Sequence, residues 1–224
     1  MMKFIHLFML LLLALTPQAL KAQEDAVKVG LRAGHNASFG GFVATSLETN
    51  QTFRKDFSVS GGVQYSTIGR TAIEARPAYT MNFSWGRLTT EVMTAYTHLA
   101  NINSIAVGGG ACVDYRRASV KLGYYYRLYG GQGGWITEPF NVYYELCVRL
   151  LKKSESWDMG LIITNNEIFE LERHYQPSFI AECSYYPTRK LGISLGIGCK
   201  PVGMFNISPD YYQTYIKTGV CYRW

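Results

Sequence analysis

The sequence is short of charged residues and, beyond its first fifteen positions, has no long apolar run. Asp, Glu, Lys and Arg make up 17% of the 224 residues. The formal net charge of +6 falls to about +4 without Lys3 and Lys21 of the leader, which is too small and too dispersed for a nucleic-acid-binding protein. No later segment reaches the roughly 20 consecutive apolar residues that a transmembrane helix needs.

The five cysteines lack the clustering of a metal site or of a disulfide framework. They stand at positions 112, 147, 183, 199 and 221, with no Cys-x-x-Cys or His-x-x-x-His grouping. We expect small packing residues on strands, with one disulfide as the alternative. The run Gly108-Gly109-Gly110 is not followed by the Lys-Ser or Lys-Thr of a phosphate loop. The sequence therefore predicts no catalytic residue, no cofactor and no metal.

The first 22 residues have the pattern of a secretory signal peptide. A basic start at Lys3 is followed by about 12 apolar residues from Phe4 to Leu15, and the small Ala22 precedes the polar Gln23. We expect export through the Sec pathway and cleavage after Ala22. Residues 23–224 then form one domain beyond the inner membrane.

Residues 26–224 alternate between apolar and polar positions with a period of two, which predicts β-strands. Val120, Leu122 and Tyr124, for example, alternate with Lys121 and Gly123. No acidic or basic residue falls on the apolar side of the predicted strands, and the polar side is mostly Gly, Ser, Thr and Asn. A soluble barrel would instead have a heavily charged exterior. We therefore predict an all-β fold, a closed antiparallel transmembrane β-barrel with its apolar face toward lipid.

The number of strands follows from the turns. Twelve strands result if residues 39–47 form one, and ten strands are the alternative. The connections 85–87 and 116–117 are short, whereas 130–138, 165–173 and 201–210 are long. Because transmembrane barrels have short periplasmic turns and longer outer loops, we place the short connections and Trp224 in the periplasm. The glycine-rich loop before Trp135 is a candidate for binding a partner.

The last strand ends on an alternation of Ile216, Val220, Tyr222 and Trp224. This pattern resembles the C-terminal strand by which outer-membrane barrel proteins are recognised for assembly. With the leader and the alternation, it makes the chain similar to small, porin-like outer-membrane β-barrel proteins of Gram-negative bacteria. The resemblance implies outer-membrane lipid and the barrel assembly machinery as partners, with Val220, Tyr222 and Trp224 as the assembly signal.

The polar set, which should line the lumen, contains more basic than acidic residues. The candidates are Glu74, Arg76, Glu91, Asp114, Arg116, Lys121, Arg127, Glu145, Arg149, Glu182 and Lys217. Glu74 with Arg76, and Asp114 with Arg116, stand two positions apart on one strand face, and Lys121 is expected beside Asp114.

Three functions are compatible with such a lumen. A wet ring of Arg and Lys favours anions, and narrow twelve-stranded barrels of similar length are channels for acidic sugars, which predicts a small anion-preferring diffusion channel. The alternative is a plugged barrel, held by ion pairs, whose outer loops bind a partner. A lipid-modifying enzyme is disfavoured because His35, His98 and His174 have no serine two positions away.

Overall fold

The computed structural model describes residues 25–54, 56–131, 133–150, 156–166, 176–201 and 211–224. Within these ranges twelve antiparallel strands form one closed barrel, in which each strand pairs with its neighbours in sequence and the first pairs with the last. The strands are β1 (Ala26–Asn36), β2 (Gly40–Arg54), β3 (Phe57–Ser66), β4 (Arg70–Asn82), β5 (Arg87–Leu99), β6 (Ile102–Tyr115), β7 (Ala118–Gly131), β8 (Gly134–Arg149), β9 (Trp157–Thr164), β10 (Ser178–Tyr185), β11 (Leu191–Pro201) and β12 (Tyr211–Arg223). The predicted twelve-stranded all-β barrel is confirmed, and the ten-strand alternative is wrong. The expected leader, residues 1–22, lies outside the described residues.

The apolar set of each strand faces outward and the polar set faces the lumen. Leu122, Leu195 and Ile197 expose 56%, 58% and 60% of their surface, although they are large aliphatic residues. No Asp, Glu, Lys or Arg stands on the outward face between the ends of any described strand. An apolar band of this extent is unstable against water and is the surface that a lipid bilayer covers.

Among the described residues there is no helix with the length and apolar character needed to cross a membrane.

Aromatic pairs surround one end of the barrel. This end, which we call the terminal end, carries Asp25, Trp224 and the turns at 83–86 and 116–117. Phe83 stacks on Trp85 with ring centroids 5.2 Å apart, Trp157 packs on Tyr185 at 4.6 Å, and Tyr222 lies 6.4 Å from Trp224. Aromatic rings are amphipathic and concentrate where hydrocarbon meets headgroups, so these pairs mark one edge of the lipid-covered band. Val220, Tyr222 and Trp224 all stand on this outward face.

The connections at the other end, the opposite end, are of two kinds: those at 165–177 and 202–210 are long, close to the predicted 165–173 and 201–210, and the others are short. Residues 37–39, 67–69 and 100–101 join β1–β2, β3–β4 and β5–β6, so short turns occur at both ends. The predicted long loop at 130–138 is wrong, because β7 and β8 continue toward each other until Gly131 pairs with Gly134. The glycines of this segment favour a loop in the sequence, but Gly130 allows the close approach to β8 that a side chain would block. Trp135 is exposed, but on a strand of this hairpin.

The lumen is filled toward the opposite end and open toward the terminal end. Phe42, Tyr125, Arg127 and Lys200 expose 4% or less of their surface. Side chains nearer the terminal end are much more accessible: Lys28 exposes 34% and Arg87 exposes 42% of its side chain. The lumen is therefore more densely filled toward the opposite end and more accessible toward the terminal end.

Candidate functional site: the charged lumen

Arg76 of β4 lies at the centre of a network of charged side chains in the lumen. Its Nε donates to Glu74 Oε2 at 3.2 Å, its Nη1 to Glu91 Oε1 at 3.0 Å and its Nη2 to Asn166 Oδ1 at 3.1 Å. Only 10% of the Arg76 side chain is exposed. A guanidinium with so little access to water is stable because its donors are directed to carboxylates and an amide.

Glu91 of β5 extends this network of hydrogen bonds to β7 and β8. Its Oε2 accepts a hydrogen bond from Lys121 Nζ at 3.1 Å, and its Oε1 accepts one from the Tyr143 hydroxyl at 3.0 Å. Tyr143 stands three strands away on β8, and the register explains how it reaches Glu91. Glu91 is opposite Gly110 of β6, and Gly110 is opposite Gly123 of β7. Gly123 is in turn opposite Tyr143. The two glycines leave a groove in which the fully buried tyrosine ring lies flat.

A second cluster lies on the wall where the barrel closes. Glu182 of β10 pairs with Lys28 Nζ of β1 at 4.0 Å and with Lys217 Nζ of β12. The guanidinium of Arg32 lies 3.7 Å from the centroid of the Tyr215 ring, an attractive cation–π contact. Both clusters are built from inward positions of neighbouring strands, which is why residues far apart in sequence meet.

A cavity of about 370 Å³ separates the two clusters. It is lined by six basic side chains, Lys28, Arg32, Arg70, Arg76, Lys121 and Lys217, and by three acidic ones, Glu48, Glu74 and Glu91. Because low-dielectric walls focus the field of the lining charges, an excess of positive charge concentrates anions inside such a cavity. The geometry can therefore hold or conduct a small anionic solute.

The remaining predicted lumen residues lie elsewhere. Arg127 is buried in the filled half, with its guanidinium 5.2 Å from the centroid of the Tyr125 ring. Glu145 stands on β8 as the register partner of Lys121. Arg149 ends β8 at the terminal end. These residues do not line the central cavity.

Two predicted contacts are wrong. Asp114 bonds to Arg87 of β5, with 2.8 Å from Nε to Oδ2, instead of to Arg116. Arg116 lies in the turn after β6, at φ +52°, and its guanidinium stacks over the Tyr115 ring at 5.1 Å. The turn therefore directs Arg116 away from Asp114. Lys121 contacts Glu91 instead of Asp114.

Tyr143 and Asn166 belong to the site but were absent from the predicted charged set. Tyr143 stands on the polar face of its strand, where an aromatic residue is unexpected, and this departure from the pattern was the available signal. Asn166 follows β9, with its backbone NH bonded to Thr164 Oγ1 at 2.9 Å. Nothing in the sequence around Asn166 distinguishes it from an ordinary loop residue.

The described residues do not assemble a hydrolase site. Nδ1 of His98 contacts Asn103 Oδ1 at 3.0 Å on the outward face, but no hydroxyl in the described part of the chain is bonded to this histidine. A Gly-x-Ser-x-Gly sequence at 192–196 lies inside strand β11, so it lacks the strand–turn–helix geometry of a nucleophile elbow. All five cysteines are free thiols. No group of three or more metal ligands occurs among the described residues.

No family model matches the chain, and no curated protein matches it either. The fold is similar to several solved structures. It matches the KdgM porin in complex with disordered oligogalacturonate with a TM-score of 0.60 and 13% identity over 89% of this chain and 99% of that chain. It matches the NanC porin with a TM-score of 0.57 and 12% identity over 89% and 100%.

The same fold also occurs in an enzyme. The outer membrane phospholipase A from Escherichia coli matches with a TM-score of 0.52 and 10% identity over 93% of each chain. At these identities the likeness shows the fold alone, and a fold does not determine an activity. The chain has the fold of porin-like outer-membrane β-barrels.

Proposed function

We propose that this protein is a narrow outer-membrane channel for small anionic solutes. The observation that carries the proposal is the positive charge of the central cavity, which six basic and three acidic side chains line; with Glu182, which pairs with Lys28 and Lys217, the basic residues still exceed the acidic ones. The apolar exterior and the aromatic pairs at the terminal end support a position in a bilayer. The fold shared with the KdgM and NanC porins agrees with this function.

The central cavity suits solutes that carry carboxylate or phosphate groups. Basic side chains lie on both of its walls, so an anion is attracted from two sides. Arg76 is held by Glu74 and Glu91, while Lys28 and Lys217 share Glu182. The acidic partners fix the basic side chains at the wall and keep the passage between the walls clear.

The proposed topology and maturation follow the same reasoning. We infer that residues 1–22 are a signal peptide removed after Ala22 and that the terminal end faces the periplasm. Val220, Tyr222 and Trp224, which line the outward face of β12, are the surface that the assembly machinery would contact.

The filled half of the lumen favours a second candidate function, that of a closed barrel. Buried side chains such as Arg127, Tyr125 and Phe42 occupy the interior toward the opposite end. If they seal it, the cavity is a binding cup open only to the periplasm. Such a protein would bind an anion without conducting it.

Planar-bilayer recordings of the refolded barrel under a salt gradient test the channel. We expect discrete current steps and a reversal potential on the anion side. Lys28→Gln should move the reversal potential toward cations and Glu48→Gln toward anions, because both residues line the cavity. Lys190→Gln, in an exposed turn outside the cavity, is the control and should change nothing. A folded barrel without current would refute the channel and favour the binding cup.

A further inference from the structure

A second charged cavity lies at the terminal end of the barrel. It has a volume of about 430 Å³ and is formed where β4–β8 end. Four arginines line it, Arg87, Arg116, Arg117 and Arg149, and we call this group the arginine mouth. Among the residues that the structure describes, Asp114 is the single carboxylate that lines the same cavity. The cavity shares no lining residue with the central one.

Asp114 is already paired with one of the four arginines, Arg87. Asp114 Oδ2 accepts a hydrogen bond from Arg87 Nε at 2.8 Å and lies 2.8 Å from Arg87 Nη2, so both nitrogens converge on one carboxylate oxygen and Arg87 neutralises Asp114. In the described part of the chain, no second carboxylate lines the cavity beside Arg116, Arg117 and Arg149. Their charges add, and the open terminal end leaves them accessible to solutes.

The backbone brings two of these arginines together. The Arg149 NH donates to the Arg117 carbonyl at 2.8 Å, which ties the turn after β6 to the end of β8. The Arg117 guanidinium reaches the Leu150 carbonyl at 3.5 Å, a long contact that leaves most of its donors available. Like charges on adjacent strands repel unless an anion lies between them.

The turn that presents Arg116 and Arg117 is itself unusual. Two residues connect Tyr115 to its partner Ala118, and Arg116 adopts φ +52°. Hairpins this tight normally use Asn, Asp or Gly at such a position, because other residues are strained there. The chain instead places two arginines in this turn, at the rim of the cavity.

We propose that the arginine mouth is a binding site for small polyanionic solutes bearing carboxylate or phosphate groups. Guanidinium groups bind both oxyanions with paired hydrogen bonds. The ligand is a solute and not a lipid headgroup, because Arg87, Asp114 and Arg149 belong to the inward sets of β5, β6 and β8. The proposal does not depend on conduction, since the site lies at the accessible terminal end of the barrel.

Calorimetric titration of citrate into the complete, detergent-solubilised barrel tests the site without any current. We expect binding of about one citrate per barrel, weakened about tenfold or more in the double variant Arg117→Gln/Arg149→Gln. The double variant Arg54→Gln/Arg189→Gln removes the same charge from exposed positions at the same end, outside the cavity. This control should change the affinity by about twofold or less, as expected for long-range, salt-screened charges.

Asp114→Asn provides a variant that should gain affinity. Both Asp114 and Arg87 are partly exposed, with 32% and 42% of their side chains accessible, so the barrel should tolerate the loss of the pair. Released from Asp114, Arg87 adds a fourth uncompensated charge and citrate should bind more tightly. Compact migration of the unheated protein on a gel checks the fold of each variant.

Three outcomes would overturn the assignment. The first is the absence of measurable citrate binding to folded wild-type barrel. The second is an equal loss of affinity in both double variants, which would indicate a general charge effect. The third is binding to vesicles that contain anionic phospholipid without binding to citrate or inorganic phosphate, which would make the arginines a lipid-headgroup site. If conduction fails but citrate binding follows the variants, the mouth stands and the channel does not.

Discussion

Gly123 should be far more important for stability than an ordinary strand glycine. A β-carbon at this position would overlap Cζ, Cε1 and Oη of Tyr143, so Gly123→Ala forces the ring out of its groove. Displacing a packed ring costs about 1–3 kcal/mol, and losing the hydrogen bond from Tyr143 to the Glu91 carboxylate costs about 1.5–3 kcal/mol. We expect the free energy of unfolding to fall by about 2.5–6 kcal/mol in total.

Gly160→Ala is the matched control for this substitution. Gly160 also faces the lumen from the middle of a strand, but its β-carbon would meet only the Val148 carbonyl at 3.6 Å and Cys147 Sγ at 3.7 Å. These are ordinary contacts, and alanine is less flexible than glycine in the unfolded chain. The change should therefore alter the free energy of unfolding by about 0.5 kcal/mol or less.

Equilibrium unfolding in guanidinium chloride, followed by tryptophan fluorescence in detergent micelles, measures both variants. Combining each with Tyr143→Ala isolates the contact, because Gly123→Ala should cost little once the ring is absent. The coupling between Gly123 and Tyr143 should reach about 2 kcal/mol or more. Equal destabilisation by the two glycine substitutions, or an undiminished cost of Gly123→Ala without the ring, would show that the groove is not what holds Tyr143.

Three further predictions test other parts of the structure. Leu195→Arg places a charge on the outward face and should destabilise the membrane-inserted barrel by about 2–4 kcal/mol. Ser194→Arg, one residue away but facing the lumen, is the control and should insert normally. Equal insertion of the two variants in vesicle-folding assays would contradict the assigned faces. Asn166→Ala should raise single-channel conductance, because the Asn166 side chain reaches into the cavity to Arg76 Nη2 at 3.1 Å; an unchanged conductance would show that Asn166 does not narrow the passage. All five cysteines should react with a maleimide in denaturant without reductant, since all are free thiols; a mass that corresponds to fewer additions would reveal a disulfide.

The exterior of the barrel could be predicted from sequence because its signal is local. Alternation of Leu122 and Tyr124 with Lys121 and Gly123 needs only neighbouring positions, and lipid imposes the same preference on every strand. Residues 39–47, predicted as the segment that completes twelve strands, lie largely in β2. The fold, and the assignment of each strand's residues to the lipid-facing or the lumen-facing side, therefore follow from the composition and the period of two.

The contacts within the lumen depend on cross-strand register, which the local sequence does not encode. Asp114 and Arg116 are two positions apart, but the turn at Arg116 breaks the face they were expected to share, and Arg87 is brought opposite Asp114 by the pairing of β5 with β6. Glu91 likewise meets Tyr143 only because two intervening strands place glycines between them. Each such contact requires several registers to be known at once.

Glycine had two opposite meanings in this sequence. In residues 130–134 glycine predicts a long loop, yet the strands continue to a tight hairpin there. At Gly110 and Gly123 it makes room for an aromatic ring from another strand. A glycine beside a turn and a glycine beneath a ring look alike in sequence, and only the position of the neighbouring strand separates them.

The short turns at the opposite end give the barrel an uneven outer profile. β1–β6 are joined there by residues 37–39, 67–69 and 100–101, while the longer connections, 165–177 and 202–210, belong to β9–β12. In the proposed topology, with the opposite end facing the medium, the two thirds of the circumference formed by β1–β8 offer little for an antibody or a phage, whose footprint is about 800 Å² on each partner. Recognition from outside the cell, and selection for variation under it, would then fall on the third formed by β9–β12, which carries the longer connections.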